Sequence, residues 1–107
     1  MNQGDVYWYT FRQPDKRRPV LILTRSSATG FLTSLTIAPI TTTVRGIPTE
    51  VVLTEADGLL ARCAVNADTL QTVPKAKFGG LITRLTPEQL RAVRQAIQFA
   101  LGFDTLS

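Results

Sequence analysis

The fold of this chain is decided by two stretches near its start, residues 6–11, which read VYWYTF, and residues 20–23, which read VLIL. Both are rich in β-branched and aromatic residues, a composition that favours strands. The second stretch is an uninterrupted apolar run, which predicts the more deeply buried strand of the two. The polar segment 12–18 between them contains Pro14 and predicts a loop.

Further short β-type segments follow along the chain, separated by turn residues. They are residues 35–40, 49–53, 63–65, 70–73 and 81–85. Pro39 lies in the first of these segments and predicts an edge position or a strand end, because proline lacks a backbone N–H group. Six or seven short strands within about eighty residues indicate a compact β-barrel.

The last part of the chain predicts one α-helix. Thr86, Pro87 and Gln89 have the spacing of a capping box with proline at the first helical position. Apolar residues then recur at helical spacing between residues 90 and 101, and Gly102 is well placed to end the helix. The predicted fold is mainly β, a small barrel with a C-terminal α-helix packed on it, in a single domain spanning residues 1–107.

Composition excludes several classes of function. The 107 residues include no histidine and one cysteine, Cys63, so the usual zinc sites, histidine-based nucleophilic dyads and an intrachain disulfide are excluded. The longest apolar run is about five residues, against the roughly 20 that a membrane-spanning helix needs. The first residues do not resemble a secretory signal. The expected location is the cytoplasm, with no membrane partner.

Positive charge is concentrated in the first half of the chain. The net charge is +4, and residues 1–45 carry all of this excess. A polyanion is the predicted partner, although a solvated basic surface is the alternative interpretation. The densest cluster is Lys16-Arg17-Arg18, immediately before Pro19 and the buried strand. Side chains at the mouth of a rigid strand are held in place better than those at a loop tip.

Two polar segments are further candidates for a binding or catalytic role. Residues 38–46 (APITTTVRG) combine hydroxyl groups with an arginine, and both donate hydrogen bonds suited to phosphate oxygens. Residues 66–72 (NADTLQT) form a polar turn, and Lys75 and Lys77 after it extend the basic track. The alternative interpretations are strand propensity for the threonines and turn stabilisation for the aspartate.

Four segments in this order resemble the MazF/PemK family, the Kid or ChpA-type toxins of toxin–antitoxin modules. The matching residues are 4–8 (GDVYW), 17–23 (RRPVLIL), 37–41 (IAPIT) and 68–73 (DTLQTV). The resemblance extends over nearly the whole chain, including the terminal helix. It implies a dimeric SH3-like barrel that cuts single-stranded RNA and is neutralised by a cognate antitoxin protein.

The resemblance also implies the site residues. Arg18, before the proline, and Thr41, which closes the Ala-Pro-Ile-Thr strand, correspond to the main catalytic pair of the family, and Asp68 corresponds to its acidic residue. The surrounding side chains predicted to bind RNA are Lys16, Arg17, Thr42, Arg45, Gln71 and Lys75.

RNA carries its own nucleophile, the ribose 2′-hydroxyl, so neither a metal nor a cofactor is predicted. Arg18 is predicted to stabilise the charge on phosphorus, and Asp68 or Asp15 is the predicted general base, because a guanidinium resists deprotonation. Tyr7, Trp8, Tyr9 and Phe31 are candidates for stacking on bases, with core packing as the alternative.

Two other functions remain open at this stage. One is a non-catalytic SH3-like module that binds nucleic acid or protein through the same basic face. The other is a toxin of the CcdB type, which shares the barrel but acts on DNA gyrase. We also expect a symmetric homodimer, since so small a barrel leaves apolar surface to cover, and an antitoxin with an acidic, largely disordered tail.

Overall fold

The computed structural model describes residues 1–12 and 16–105, and within these residues seven strands precede a single α-helix. The strands are β1 (Asp5–Thr10), β2 (Arg17–Ile22), β3 (Ser34–Thr41), β4 (Glu50–Leu53), β5 (Cys63–Asn66), β6 (Gln71–Pro74) and β7 (Phe78–Arg84). The helix α1 spans Pro87–Ala100. Short 3₁₀ turns occur at Glu55–Asp57, Ala67–Thr69, Lys75–Lys77 and Phe103–Thr105.

The strands form one antiparallel sheet in the order β4-β5-β3-β2-β1-β7, and β6 pairs with β3 beside β5. Because β3 pairs with both β5 and β6 along the same side, the sheet curls into a half-barrel. The prediction of a mainly β barrel with a C-terminal helix is therefore confirmed, in the form of an antiparallel half-barrel with one helix.

Strand β2 is buried on both of its faces. Val20, Leu21 and Ile22 are fully inaccessible to solvent. Leu21 belongs to the core cluster beneath the helix, whereas Val20 and Ile22 belong to a second cluster on the opposite face of the sheet. A strand covered on both sides needs apolar residues at every position, not at every second one. The uninterrupted VLIL run is explained by this placement.

Two expectations about this region are wrong. Arg17 and Arg18 do not belong to the loop, because they pair with Thr10 and Tyr9 of β1 and form the first residues of β2. Pro39 does not mark an edge strand, because β3 is an interior strand. On one side of β3, β6 pairs with residues 34–37 and β5 with residues 40–41. Pro39 falls between these two partners, where the sheet tolerates a residue without an N–H group.

The helix begins as predicted. The Thr86 hydroxyl accepts a hydrogen bond from the Gln89 amide N–H at 3.1 Å, and the Gln89 side-chain oxygen accepts one from the Thr86 N–H at 2.9 Å. Val93 and Ala96 are buried against the sheet. Gly102 follows the helix with a φ of +75°, as expected of a residue after a helix C-terminus. Among the described residues, no helix has the length and apolar character needed to cross a membrane.

Two contacts connect the helix to loops at the edge of the sheet. The Gln89 side-chain amide donates to Asp57 Oδ1 at 2.8 Å. The Thr54 backbone N–H and, to a smaller extent, this amide lower the pKa of Asp57. Gly4, just before β1, has a φ of +95°, and a Cβ there would lie 2.7 Å from Leu90 Cδ1. Only glycine fits this turn beneath the helix without strain.

Candidate active site

A cleft forms where β2 and β3 run side by side. Val20 pairs with Pro39 and Leu21 with Ala38, and continuing this register towards the end of β3 brings Arg18 opposite Thr41. Both residues line an open cleft of about 300 Å³. The described residues that line it are Phe11, Lys16, Arg18, Pro39, Ile40, Thr41, Asn66, Thr69 and Gln71. The antiparallel pairing thus joins two residues that are far apart in sequence.

The Thr41 hydroxyl has a fixed hydrogen-bonding role. Its oxygen accepts a hydrogen bond from the Thr43 backbone N–H at 3.1 Å. A hydroxyl group has one proton to donate and two lone pairs, so this contact occupies a lone pair and leaves the proton available. Thr41 can therefore act as a hydrogen-bond donor towards a group bound in the cleft.

The cleft is electropositive. Lys16 and Arg18 are exposed at its rim, and the described residues that line it include no carboxylate. Asn66, Thr69 and Gln71 add neutral polar groups on the opposite side. Such a set of donors suits a phosphodiester, because each donor strengthens its interaction as negative charge grows on the phosphate oxygens.

Asp68 lies beside the cleft and does not line it. It follows Asn66 and precedes Thr69, both of which do line the cleft. Its own carboxylate accepts a hydrogen bond from the Thr49 hydroxyl at 2.6 Å, and its backbone N–H donates to Asn66 Oδ1 at 2.8 Å. Asp15, the other predicted base, lies outside the described residues.

A second, mainly apolar pocket of about 280 Å³ lies on the other side of Arg18, and we call it the Trp8 pocket. Its lining consists of Trp8, Arg17, Arg18, Pro19, Ile40, Thr42, Leu59, Leu60, Ala61, Cys63 and Ile82. The Arg17 guanidinium lies over the Trp8 ring, 4.5 Å from its centroid. Burial and, to a smaller extent, the nearby Asp57 charge raise the pKa of the Cys63 thiol.

Nearly the whole chain matches one protein family. The family model, described as PemK-like, MazF-like toxin of type II toxin-antitoxin system, matches residues 2–101. The chain belongs to this family. Endoribonuclease MazF3 of Mycobacterium tuberculosis is 46% identical to this MazF-like chain over 92 residues, covering 86% of the chain and 89% of the relative. Probable endoribonuclease MazF5 of the same species is 36% identical over 100 residues, covering 92% and 91%.

Solved structures agree with this assignment. The Mycobacterium tuberculosis toxin MazF-mt6 superposes with a TM-score of 0.85 at 41% identity, covering 92% of this chain and 96% of that one. An endoribonuclease in complex with its cognate antitoxin, from a mycobacterial species, superposes with a TM-score of 0.83 at 27% identity, covering 95% of both chains. The predicted class, a MazF-type toxin endoribonuclease, is confirmed. The relatives favour neither a non-catalytic module nor a gyrase inhibitor.

The remaining residues predicted to bind RNA are spread over a wider area of this MazF-like toxin. Arg17 and Thr42 line the Trp8 pocket, and Gln71 lines the cleft. Arg45 is exposed in the loop after β3, and the backbone N–H groups of Arg45 and Gly46 both donate to Glu50 Oε1, at 2.9 and 3.1 Å. The Glu50 carboxylate therefore holds this loop in place.

Lys75 points away from the cleft. Its amino group donates a hydrogen bond to the Thr29 carbonyl oxygen, near the far end of β6 from Gln71. It is half-buried, so its charge belongs to a different part of the surface from that of Arg18.

The aromatic candidates divide between core and surface. Tyr9 is buried and donates its hydroxyl proton to the Pro74 carbonyl oxygen at 3.2 Å, and Tyr7 packs against the same core cluster. Core packing is thus the correct interpretation for both. Phe31 is exposed but lines neither cavity, whereas Trp8 lines the pocket that bears its name.

The sequence did not indicate the Trp8 pocket, and within the candidate segment 66–72 it did not single out Asn66 and Thr69, which line the cleft. The available signal for the pocket was the apolar pair Leu59-Leu60 within a polar connection. Within residues 1–12 and 16–105, no cluster of three or more His, Cys, Asp or Glu side chains could hold a metal ion.

Proposed function

We propose that this toxin is a sequence-specific, metal-independent endoribonuclease that cleaves single-stranded RNA by attack of the ribose 2′-hydroxyl. The observation that carries the proposal is that Arg18 and Thr41 line one cleft together with other donors and cations. The chain contains no histidine, so the acid–base chemistry falls to other groups.

The proposed reaction is an internal transfer. The 2′-oxygen forms a bond to phosphorus as its proton passes to a base, and the bond from phosphorus to the 5′-oxygen breaks. The leaving oxygen takes up a proton. The products are a 2′,3′-cyclic phosphate and a 5′-hydroxyl end. Because the substrate supplies the nucleophile, the reaction needs neither a protein nucleophile nor a metal-bound water.

Arg18 and Thr41 act on the phosphate. The guanidinium presents two parallel N–H donors to the non-bridging oxygens, and the Thr41 hydroxyl donates a third hydrogen bond. Negative charge on these oxygens is greatest in the pentavalent transition state, so the donors bind that state most tightly. By analogy with oxyanion holes, one well-placed donor lowers the barrier by about 3–4 kcal/mol.

Two carboxylates are proposed as alternative bases, Asp68 and Asp15. Asp68 flanks the cleft between Asn66 and Thr69, and one of its oxygens already accepts a hydrogen bond from Thr49. Asp68→Asn and Asp15→Asn distinguish the two, since the pH dependence of cleavage should disappear on its acidic side only in the variant that lacks the base.

Single-stranded RNA is the proposed substrate because an open cleft admits a strand whose bases are splayed outwards. The positive charge in residues 1–45 steers this polyanion towards the cleft in the cytoplasm, the proposed place of action. Lys16, Arg17 and Arg45 are the proposed phosphate contacts around the catalytic pair. Their contribution to binding should weaken as the salt concentration rises.

The proposed protein partners are a cognate antitoxin and a second copy of the chain. An acidic antitoxin tail laid across the basic face would occlude the cleft, and its binding should weaken at high salt. Support for a homodimer comes from Phe99, Leu101 and Phe103, whose side chains are 50%, 52% and 57% exposed at the end of the helix. A monomeric mass by light scattering at micromolar concentration would contradict the homodimer.

The decisive experiment uses an RNA oligonucleotide with a single deoxyribose just upstream of the cut. Cleavage should stop, while binding is retained, because phosphate contacts supply most of the affinity. The unmodified oligonucleotide should be cut in excess EDTA and yield a cyclic phosphate detectable by mass spectrometry. Efficient cutting of the deoxy substrate would mean attack by water and would refute the mechanism. A loss of cleavage in EDTA that magnesium restored would refute it as well.

Arg18→Ala provides the matching test on the protein. We expect this variant to fold, because Arg18 is exposed, and to lose cleavage while retaining measurable binding. Near-normal cleavage by the variant would remove Arg18 from the catalytic role.

A further inference from the structure

We propose that the Trp8 pocket binds the nucleobase that flanks the scissile phosphate and that it selects a keto base, guanine or uracil. The inference rests on the proposed function and adds to it the origin of sequence preference. Apart from Arg18 on the shared wall and Arg17, a proposed phosphate contact, no residue of the Trp8 pocket is required to move a proton or to hold the phosphate.

The two cavities are adjacent. Arg18 and Ile40 line both the cleft and the Trp8 pocket, so the two cavities meet at these two residues. In RNA, a base and the phosphate next to it are joined by one ribose. When a phosphate contacts Arg18 from the cleft side, the neighbouring base reaches the pocket on the other side of the same arginine.

The Trp8 pocket offers flat surfaces on which a base can stack. The Arg17 guanidinium and the Trp8 ring already lie one above the other. A Cβ at residue 79 would lie 3.1 Å from Trp8 Cβ and 3.8 Å from Arg17 Nη2, so Gly79 allows the backbone of β7 to approach this stack closely. Single-stranded nucleic acid binds to proteins largely by stacking bases on aromatic and guanidinium planes.

The opposite wall is apolar and partly uncovered. Leu59 and Ala61 line the pocket, and Leu60 between them is 82% exposed. Packing within the chain does not account for so exposed a leucine beside an apolar cavity. A base inserted between Trp8 and this wall would cover Leu60 and fill the volume of about 280 Å³.

The polar side chains of the pocket select the edge of the base. Arg17 and Arg18 carry only donors, and Thr42 adds one hydroxyl. On the edge that bears O6 and N7, guanine presents only acceptors, and uracil presents O4, whereas at the equivalent positions adenine and cytosine carry an amino group that donates. If an amino group faced a guanidinium, two hydrogen-bond donors would face each other with no acceptor between them. The donors therefore favour the keto bases.

The test maps cut sites in a randomised RNA pool. The wild type should prefer guanine or uracil at one position next to the cut, and Ala61→Phe, which fills the pocket, should reduce that preference at least about fivefold while cleavage continues. The matched control is Ala56→Phe, an exposed residue of the same β4–β5 connection that does not line the pocket, and its profile should equal that of the wild type.

Trp8 is the only tryptophan, so intrinsic fluorescence reports occupancy of the pocket directly. An uncleavable oligonucleotide with the deoxy sugar at the cut should change the emission. Replacing the flanking base with an abasic site should abolish the change and weaken binding at least about fivefold. Should Ala61→Phe fail to fold, Leu60→Ala serves instead, because an exposed side chain can be shortened without loss of the fold.

The inference would be overturned if the base preference persisted in both Ala61→Phe and Leu60→Ala, or if the preferred base were adenine or cytosine. It would also be overturned if the change in Trp8 emission were the same with the abasic oligonucleotide. If the pocket variants lost antitoxin binding or dimerisation while their cut sites stayed unchanged, the pocket would be a protein-binding site. That result would overturn the inference as well. Absence of any cleavage by the wild type would instead count against the proposed function.

Discussion

Replacing Thr41 with valine is the sharpest test of how the cleft acts on the phosphate. Valine has nearly the shape of threonine and lacks only the hydroxyl, so the strand geometry around residue 41 is retained. The Thr41 oxygen accepts the Thr43 N–H at 3.1 Å, which leaves its proton free to donate into the cleft. The substitution therefore removes one donor to the transition state.

The magnitude follows from the loss of that single donor. We expect the cleavage rate to fall by about 10²–10³, the range observed when one oxyanion-hole donor is removed. Stability should change little, because Thr43 is exposed and water replaces the lost partner of its N–H group. Affinity for the deoxy oligonucleotide should also change little, since the hydrogen bond strengthens mainly as charge develops.

The assay is single-turnover cleavage of an end-labelled RNA at saturating enzyme, which separates the chemical step from binding and product release. Thr41→Ser is the matched control, because it restores the hydroxyl, and it should cut within about tenfold of the wild type. Cleavage by Thr41→Val at nearly the wild-type rate would refute the donor role. An equal loss in Thr41→Ser, which keeps the hydroxyl, would show that the shape of the side chain at residue 41 is responsible instead of the donated proton.

Three further predictions concern the framework of the site. Glu50→Ala should free the loop at residues 42–49, and the measurement is faster trypsin cleavage after Arg45. Glu50→Gln keeps an acceptor oxygen and should be cleaved by trypsin no faster than the wild type. Gly4→Ala should destabilise the fold by about 1–3 kcal/mol through backbone strain, with a melting temperature lower by about 10 °C. Asp57→Ala should be less stable than the wild type at neutral pH, and this difference should vanish on acidification.

The direction of the pH effect follows from the lowered pKa of Asp57. A carboxyl group with a lowered pKa in the folded state stabilises the protein above its ordinary pKa, about 3.9, and loses this contribution as the pH falls through the lowered value. A stability difference that did not decrease as the pH fell below the ordinary pKa would contradict this origin. For the glycine, Gly30→Ala is the control, because a Cβ there meets no atom within 4 Å. Equal melting temperatures for the two alanine variants would refute the strain argument.

Local patterns predicted the parts of the fold that depend on neighbours in sequence. The capping box at Thr86 and the apolar run of β2 carry their own signals, because each is set by residues within one turn or one strand. Pro39 led to a wrong prediction because β3 can accept a proline at this position only through the placement of two other strands. These are β6, which pairs with β3 before residue 39, and β5, which pairs with it after residue 39. Which strands pair with β3 is not encoded near residue 39.

The same reason limits prediction of the site. The resemblance to the family predicted Arg18 and Thr41 as a catalytic pair, and the structure shows only that both residues line one cleft. Neither pattern nor motif indicated that the Asp68 carboxylate bonds to Thr49, nor that Arg17 stacks on Trp8. Such contacts depend on side-chain directions, which are fixed only when the strands and turns have packed.

The burial of β2 on both faces has a consequence for how the toxin can be controlled. Backbone N–H groups of a strand enclosed by two cores exchange with solvent mainly when the whole molecule opens, whereas edge strands such as β4 and β7 exchange through smaller openings. Arg18 lies in β2 and Thr41 in β3, both interior strands, so local fraying at either edge should leave the proposed catalytic pair assembled. We therefore expect that a partner which merely loosened the edge of the sheet would leave the toxin active, whereas one that covered the cleft would inhibit it.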